Sequence, residues 1–74
     1  MIKKGQIYKH FKGNEYKIIA VGYDSETNKK LVVYQALYDE GKIWVRDYEM
    51  FISKVDKEKY PQCNQECRFE LVND

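Results

Sequence analysis

One histidine, one proline and two cysteines are all that this 74-residue chain holds of the residues that mark metal centres, rigid turns or disulfide frameworks. A closed zinc site takes four ligands. His10, Cys63 and Cys67 supply three at most, so neither a metal nor a cofactor is expected. Two cysteines spaced C-x₃-C are also too few for the scaffold of a small secreted domain; inert thiols, a labile pair and a thiolate site completed by carboxylates are the readings open to them. Charge of one sign is missing as well. Thirteen basic residues face twelve acidic ones for a net +1, which excludes proteins that coat nucleic acid or membranes through net charge alone. No run approaches the roughly 20 apolar residues of a membrane helix, and no apolar stretch follows Met1-Ile2-Lys3-Lys4. The expected setting is the cytoplasm, with no membrane partner.

What the chain does have is aromatic residues: seven Tyr, three Phe and one Trp. They give residues 1–74 the means to build a core as one domain, near the size at which a single core is marginal. The charge is uneven too. Residues 1–20 carry five lysines against Glu15, a net +4, while the remainder is slightly acidic. Any anion-binding face should therefore involve the first hairpin.

The periodicity is almost wholly that of strands. Ile7 to Phe11 reads as a short strand and Lys12-Gly13-Asn14-Glu15 as a turn in which Gly and Asn take unusual φ values. Tyr16 to Tyr23 alternates Tyr16, Ile18, Ala20 and Gly22 against Lys17, Ile19, Val21 and Tyr23. "DSETNKK" is a polar loop. Leu31 to Tyr38 is too apolar to have one wet face and reads as a central strand, followed by a tight turn at Asp39-Glu40-Gly41-Lys42 and a strand from Ile43 to Arg46. Asp47 can cap one helical turn through Phe51. Ile52 to Val55 resumes strand character, and Arg68 to Val72 alternates again after a charged connection. The expected fold is all-β: a small barrel of five or six short antiparallel strands with one short helical turn.

Several residues in this frame carry chemistry. His10 lies between Tyr8 and Phe11 and shares a strand face with Tyr8; its ordinary pKa brings titration near neutrality. It is open to a packed, a ligand-binding or a catalytic reading. Ser25 and Glu26 complete a nucleophile–base–orienter set with His10 only if all three come within hydrogen-bonding reach. Otherwise they are turn residues. Trp44 and Arg46, two apart on a strand, share a face. Exposed, they offer a stacking plane and a bidentate anion fork; buried, Trp44 is core and Arg46 pairs with Glu26 or Asp24. Surface exposure of Tyr16, Tyr34 and Tyr38 would turn this face into a groove.

"GQIYKHFKGNEYKI", "SET", "LVVYQALY", "WVR", the Phe of "MF" and the late "RF" fall in an order and spacing that resembles a small bacterial family, the domain of unknown function numbered 1653. The resemblance spans residues 5–71 and implies an SH3-like β-barrel; it implies no activity. The chain departs from the family pattern at Asp47, where a proline is usual, and at Asp24, where a basic residue or histidine often precedes the Ser-Glu pair. Asp47, like proline, suits the start of a helical turn, whereas Asp24 weakens the case for a two-histidine site.

Two function classes follow. In the first, the barrel is a binding module, monomeric or weakly self-associating. Its ligand-binding residues are His10, Tyr16, Ser25, Glu26, Trp44 and Arg46, and its ligand is an extended or anionic one: a peptide, a nucleotide or single-stranded nucleic acid. In the second, it is a small enzyme or metabolite-processing domain using His10 with Glu26 and Arg46. The first is preferred because 74 residues leave little room to enclose a dry pocket. The expected geometry puts His10 and Arg46 on one face with Glu26 beside Arg46.

Overall fold

The computed structural model describes residues 1–74. Five strands, β1 (Ile7–His10), β2 (Glu15–Tyr23), β3 (Lys30–Ala36), β4 (Ile43–Asp47) and β5 (Phe69–Asn73), surround one helical turn, α1 (Tyr48–Phe51). They form one antiparallel sheet in the order β4-β3-β2-β1-β5. That order sets β4 and β5 at opposite edges. Even so, the Arg46 guanidinium of β4 lies 5.9 Å from the ring centroid of Phe69 in β5. The sheet therefore curls until its edges face one another, as in a small SH3-like barrel. Past α1, Arg68 N–H donates to Ser53 O at 2.8 Å and Val55 N–H to Glu66 O at 2.9 Å, tying the segment after the helix to the approach of β5. No helix is long and apolar enough to cross a membrane.

The turns follow local chemistry, with two adjustments to the expectation. Between β1 and β2 only Gly13 takes a positive φ, of 109°, and Asn14 does not. This φ is open to glycine, which lacks the Cβ that would clash. Between β2 and β3 the left-handed residue is Asn28, at φ 66°. β3 ends at Ala36, two residues early, because Asp39 (φ 49°) and Gly41 (φ 70°) turn the chain back and Gly41 N–H closes on Tyr38 O at 3.0 Å. The strand expected over residues 52–55 is reduced to a single bridge, Lys54 to Cys67.

β2 departs further from simple alternation. The pairing with β3 shifts between Ile18 and Ala20, so that Ile18 faces Tyr34, Ala20 faces Val33 and Val21 faces Val32. This bulge inserts one extra residue and re-aims every side chain beyond it. Val21, expected on the face of Lys17, packs on the core, while Ala20 is exposed. β3 supplies Val32, Tyr34 and Ala36 to the interior, all buried. Its other side, expected to be dry as well, is half-buried at Leu31 and Val33 and exposed at Leu37, and the strand in the middle of the sheet order is β2. Asp47 caps α1 as expected, accepting from Glu49 N–H at 2.9 Å and Met50 N–H at 3.4 Å. The turn delivers Phe51 to the interior, 1% exposed and stacked on Phe69 with ring centroids 4.0 Å apart. Ile2, Ile18, Val32 and Tyr34 complete that cluster.

Candidate functional site

Where the edges of the curled sheet face each other, a cavity of about 200 Å³ opens, lined by His10, Tyr16, Tyr34, Trp44, Arg46 and Phe69. β1 brings His10, β2 Tyr16, β3 Tyr34, β4 Trp44 and Arg46, and β5 Phe69. Every strand contributes, which is possible only because alternate residues of a curled sheet converge on its inner face.

The walls are rings set edge to face. Tyr16 meets Tyr34 at 5.2 Å, and His10 meets Phe69 at 4.9 Å and Tyr16 at 6.5 Å. Trp44 is 46% exposed, so it forms a rim and not core. Beyond it a second depression runs toward Tyr38 and Lys42. The Tyr16 and Tyr38 hydroxyls share a 2.6 Å hydrogen bond that links the two hollows. Tyr34 is buried, whereas Tyr16 and Tyr38 are half-buried.

Arg46 supplies the charge. Its Nε–H donates to the Tyr34 hydroxyl at 3.1 Å, which fixes the plane of the guanidinium. The fold's two ion pairs are Lys29–Asp47 and Lys54–Glu66, so Arg46 enters neither. No carboxylate lines the cavity.

His10 is neutral here. Its pKa is pushed down to about 4 by burial first, and then by the positive charges of Arg46, Arg68 and Lys12. This corrects the expectation of titration near neutrality. The backbone N–H of Lys12 donates to Nδ1 at 3.1 Å, so the ring proton sits on Nε2, which is left as a donor. Burial, followed by the hydrogen bond shared with Tyr38, raises the Tyr16 pKa, so its hydroxyl also stays protonated. The arrangement is one guanidinium, one imidazole N–H and two phenols held between aromatic planes. Chemically it can hold an anionic or strongly polar group and stack a ring beside it.

Of the residues singled out from sequence, the cavity gathers His10, Tyr16, Trp44 and Arg46. Ser25 and Glu26 stand instead in the exposed turn between β2 and β3, where the Asp24 carboxylate accepts from Glu26 N–H at 2.8 Å and Thr27 N–H at 3.0 Å. Those bonds hold the Asp24 pKa below its ordinary value. The expected Glu26–Arg46 pair is not formed; it is Lys29 that reaches β4 from this turn, at 3.6 Å from Asp47. The sequence marks Phe69 as part of a last strand and of the late "RF", whereas its place opposite Arg46 depends on the closure of the barrel. No three His, Cys, Asp or Glu side chains converge as metal ligands. Cys63 and Cys67 are free thiols, both half-buried.

Residues 6–71 match a family described as a protein of unknown function, DUF1653, and the chain belongs to that family. No curated protein and no solved structure matches it.

Proposed function

We propose that the protein is a binding module that holds the anionic group of an extended ligand in the cavity between β4 and β5. The observation that carries this reading is Arg46. Its guanidinium is oriented by Tyr34, lies outside both ion pairs and sits in a carboxylate-free hollow beside a neutral histidine donor. A planar guanidinium fixed at one nitrogen still presents a fork to a carboxylate or phosphate. About 200 Å³ suits such a group, while the open rim at Trp44 lets the rest of the ligand pass outward. Peptides, nucleotides and single-stranded nucleic acid all carry a suitable anion. The module acts in the bacterial cytoplasm, as a monomer or weak oligomer.

The enzymatic alternative using His10, Glu26 and Arg46 has less support, because Glu26 lies in the β2–β3 turn and not among the cavity's lining residues. Trp44, the only tryptophan, reports on the cavity directly. Titration with uridine monophosphate and with inorganic phosphate should change its fluorescence saturably. Arg46→Gln should abolish the change, and Arg46→Lys should restore little of it, since an ammonium lacks the fork. An unchanged titration curve in Arg46→Gln would rule the reading out.

A further inference from the structure

Adjoining the cavity is a wider, open depression of about 820 Å³ between the β1–β2 turn and the loop over residues 59–65. Its aromatic part is Phe11 and Tyr60, edge to face with centroids 4.8 Å apart. Lys12 Nζ lies 6.0 Å from the Phe11 centroid and 5.7 Å from that of Tyr60; Lys59 Nζ lies 5.6 Å from Tyr60 on its own side. Lys9 also lines the depression, and Glu70 is the one carboxylate that does. None of these three lysines takes part in an ion pair.

The loop that presents Tyr60 is held in advance of any ligand. Lys57 Nζ donates to the carbonyls of Cys63 at 2.7 Å and Gln65 at 3.0 Å. Gln65 Nε2 in turn donates to Lys9 O and Cys67 O, both at 3.0 Å, fastening the loop to β1 and to the approach of β5. Tyr60 N–H closes a turn on Asp56 O at 2.9 Å. A ligand that stacks here does not have to order its own platform.

The two hollows share no lining residue, but the His10 ring of the cavity touches the Phe11 ring of the depression. The His10 ring lies 4.5 Å from Phe11 and 4.9 Å from Phe69, so rings follow one another from Tyr60 through Phe11 and His10 to the Arg46 cavity and its Trp44 rim. Cations flank both ends of that path.

We propose that this path binds a single strand of nucleic acid. Bases stack at Phe11–Tyr60 and at Trp44, while phosphates are held by Lys9, Lys12 and Lys59 in the depression and by Arg46 in the cavity. The inference rests on the anion-binding reading of the cavity and extends it to a ligand class. Repeated rings alternating with cations match a chain that alternates π-faces with phosphates, whatever its base sequence. An acidic peptide would use the cations and leave the rings idle.

The test is fluorescence anisotropy with labelled octamers of deoxyuridine and of uridine, alongside Trp44 fluorescence with uridine monophosphate. Both octamers should bind at least tenfold tighter than the monophosphate, and any difference between them identifies DNA or RNA as the strand preferred. With about 0.7 per phosphate contact on single strands, four contacts give a log–log salt slope of roughly −3. The paired change Lys12→Gln with Lys59→Gln should flatten that slope by roughly 1.4, and Tyr60→Leu should weaken the octamers about tenfold. All should leave monophosphate binding and the melting temperature unchanged. Octamers that bind no tighter than the monophosphate, or that ignore these substitutions, overturn the inference while the cavity reading stands. Loss of the monophosphate signal in the wild-type protein would mean that the cavity reading itself has failed. A glutamate octapeptide that displaces the oligonucleotides at equal concentration would also overturn the inference.

Discussion

At His10 burial and three cations act in the same direction, and the consequence for stability has a definite sign. The folded pKa, about 4, lies below the unfolded value near 6.5. Between those values the unfolded chain binds the extra proton, so acid favours unfolding. The contribution of His10 is therefore complete above about pH 6.5 and is lost as pH falls through about 4. Melting temperatures measured from pH 7.5 to 4 should fall across that window, and His10→Gln should flatten the part of the fall due to this group. A ring whose NMR titration midpoint lies near 6.5 would contradict the burial and the neighbours assigned to it. Of these causes only Lys12 was legible from the residues around position 10, since burial and the two arginines, Arg46 and Arg68, are brought there by the fold. Arg46 itself contributes little to stability. Arg46→Gln forfeits one hydrogen bond, to Tyr34, and should cost about 1 kcal/mol in urea unfolding.

Among the elements, α1 shows the clearest route from residue type to structure. Asp47 was recognisable as a cap because an acceptor before a short apolar turn meets backbone N–H groups that lack intrahelical partners. The structure adds that the same carboxylate pairs with Lys29 across the β2–β3 turn. The two roles separate by substitution. Asp47→Ala should lower stability by about 1 kcal/mol. Asp47→Asn keeps the cap and loses only the partly exposed ion pair, worth a few tenths. Equal losses in thermal unfolding would mean that the ion pair, and not the cap, carries the effect. The β2 bulge shows where such reading stops. Ile18-Ile19-Ala20-Val21 is uniformly apolar, and nothing in it marks which residue is extra. The shift is set by what β3 presents opposite, so Ala20 and Val21 were assigned to the wrong faces.

For the molecule as a whole, the strands, one helical turn and a barrel could be read from local patterns, whereas the aromatic contact that closes the barrel could not. β4 and β5 are separated by α1 and the long connection after it, and their meeting depends on Phe51 and Phe69 stacking in the middle of the barrel. Removing that stack should open the seam. Phe51→Ala is expected to cost about 3–5 kcal/mol, comparable with the whole stability of a domain this small, roughly 4–11 kcal/mol at 0.05–0.15 per residue. Phe51→Leu should cost about 1–2 kcal/mol and remain folded, as read by urea denaturation. The two cysteines also differ once the fold is known. Cys63 lies in the outer loop, while Cys67 faces an apolar hollow with Tyr48, Phe51 and Phe69. Cys63→Ser should leave the melting temperature nearly unchanged. Cys67→Ser sets a hydroxyl against that apolar wall and should lower it by a few degrees.

The cavity is the centre of this account, and ¹H–¹⁵N shift mapping with uridine monophosphate tests it most directly. Shifts should concentrate at His10, Tyr16, Tyr34, Arg46 and the Trp44 indole, and should vanish in an Arg46→Gln protein that still melts within a few degrees of the original. Shifts that avoid the β4–β5 seam, or that persist unchanged in Arg46→Gln, would contradict the claim that this seam binds an anion.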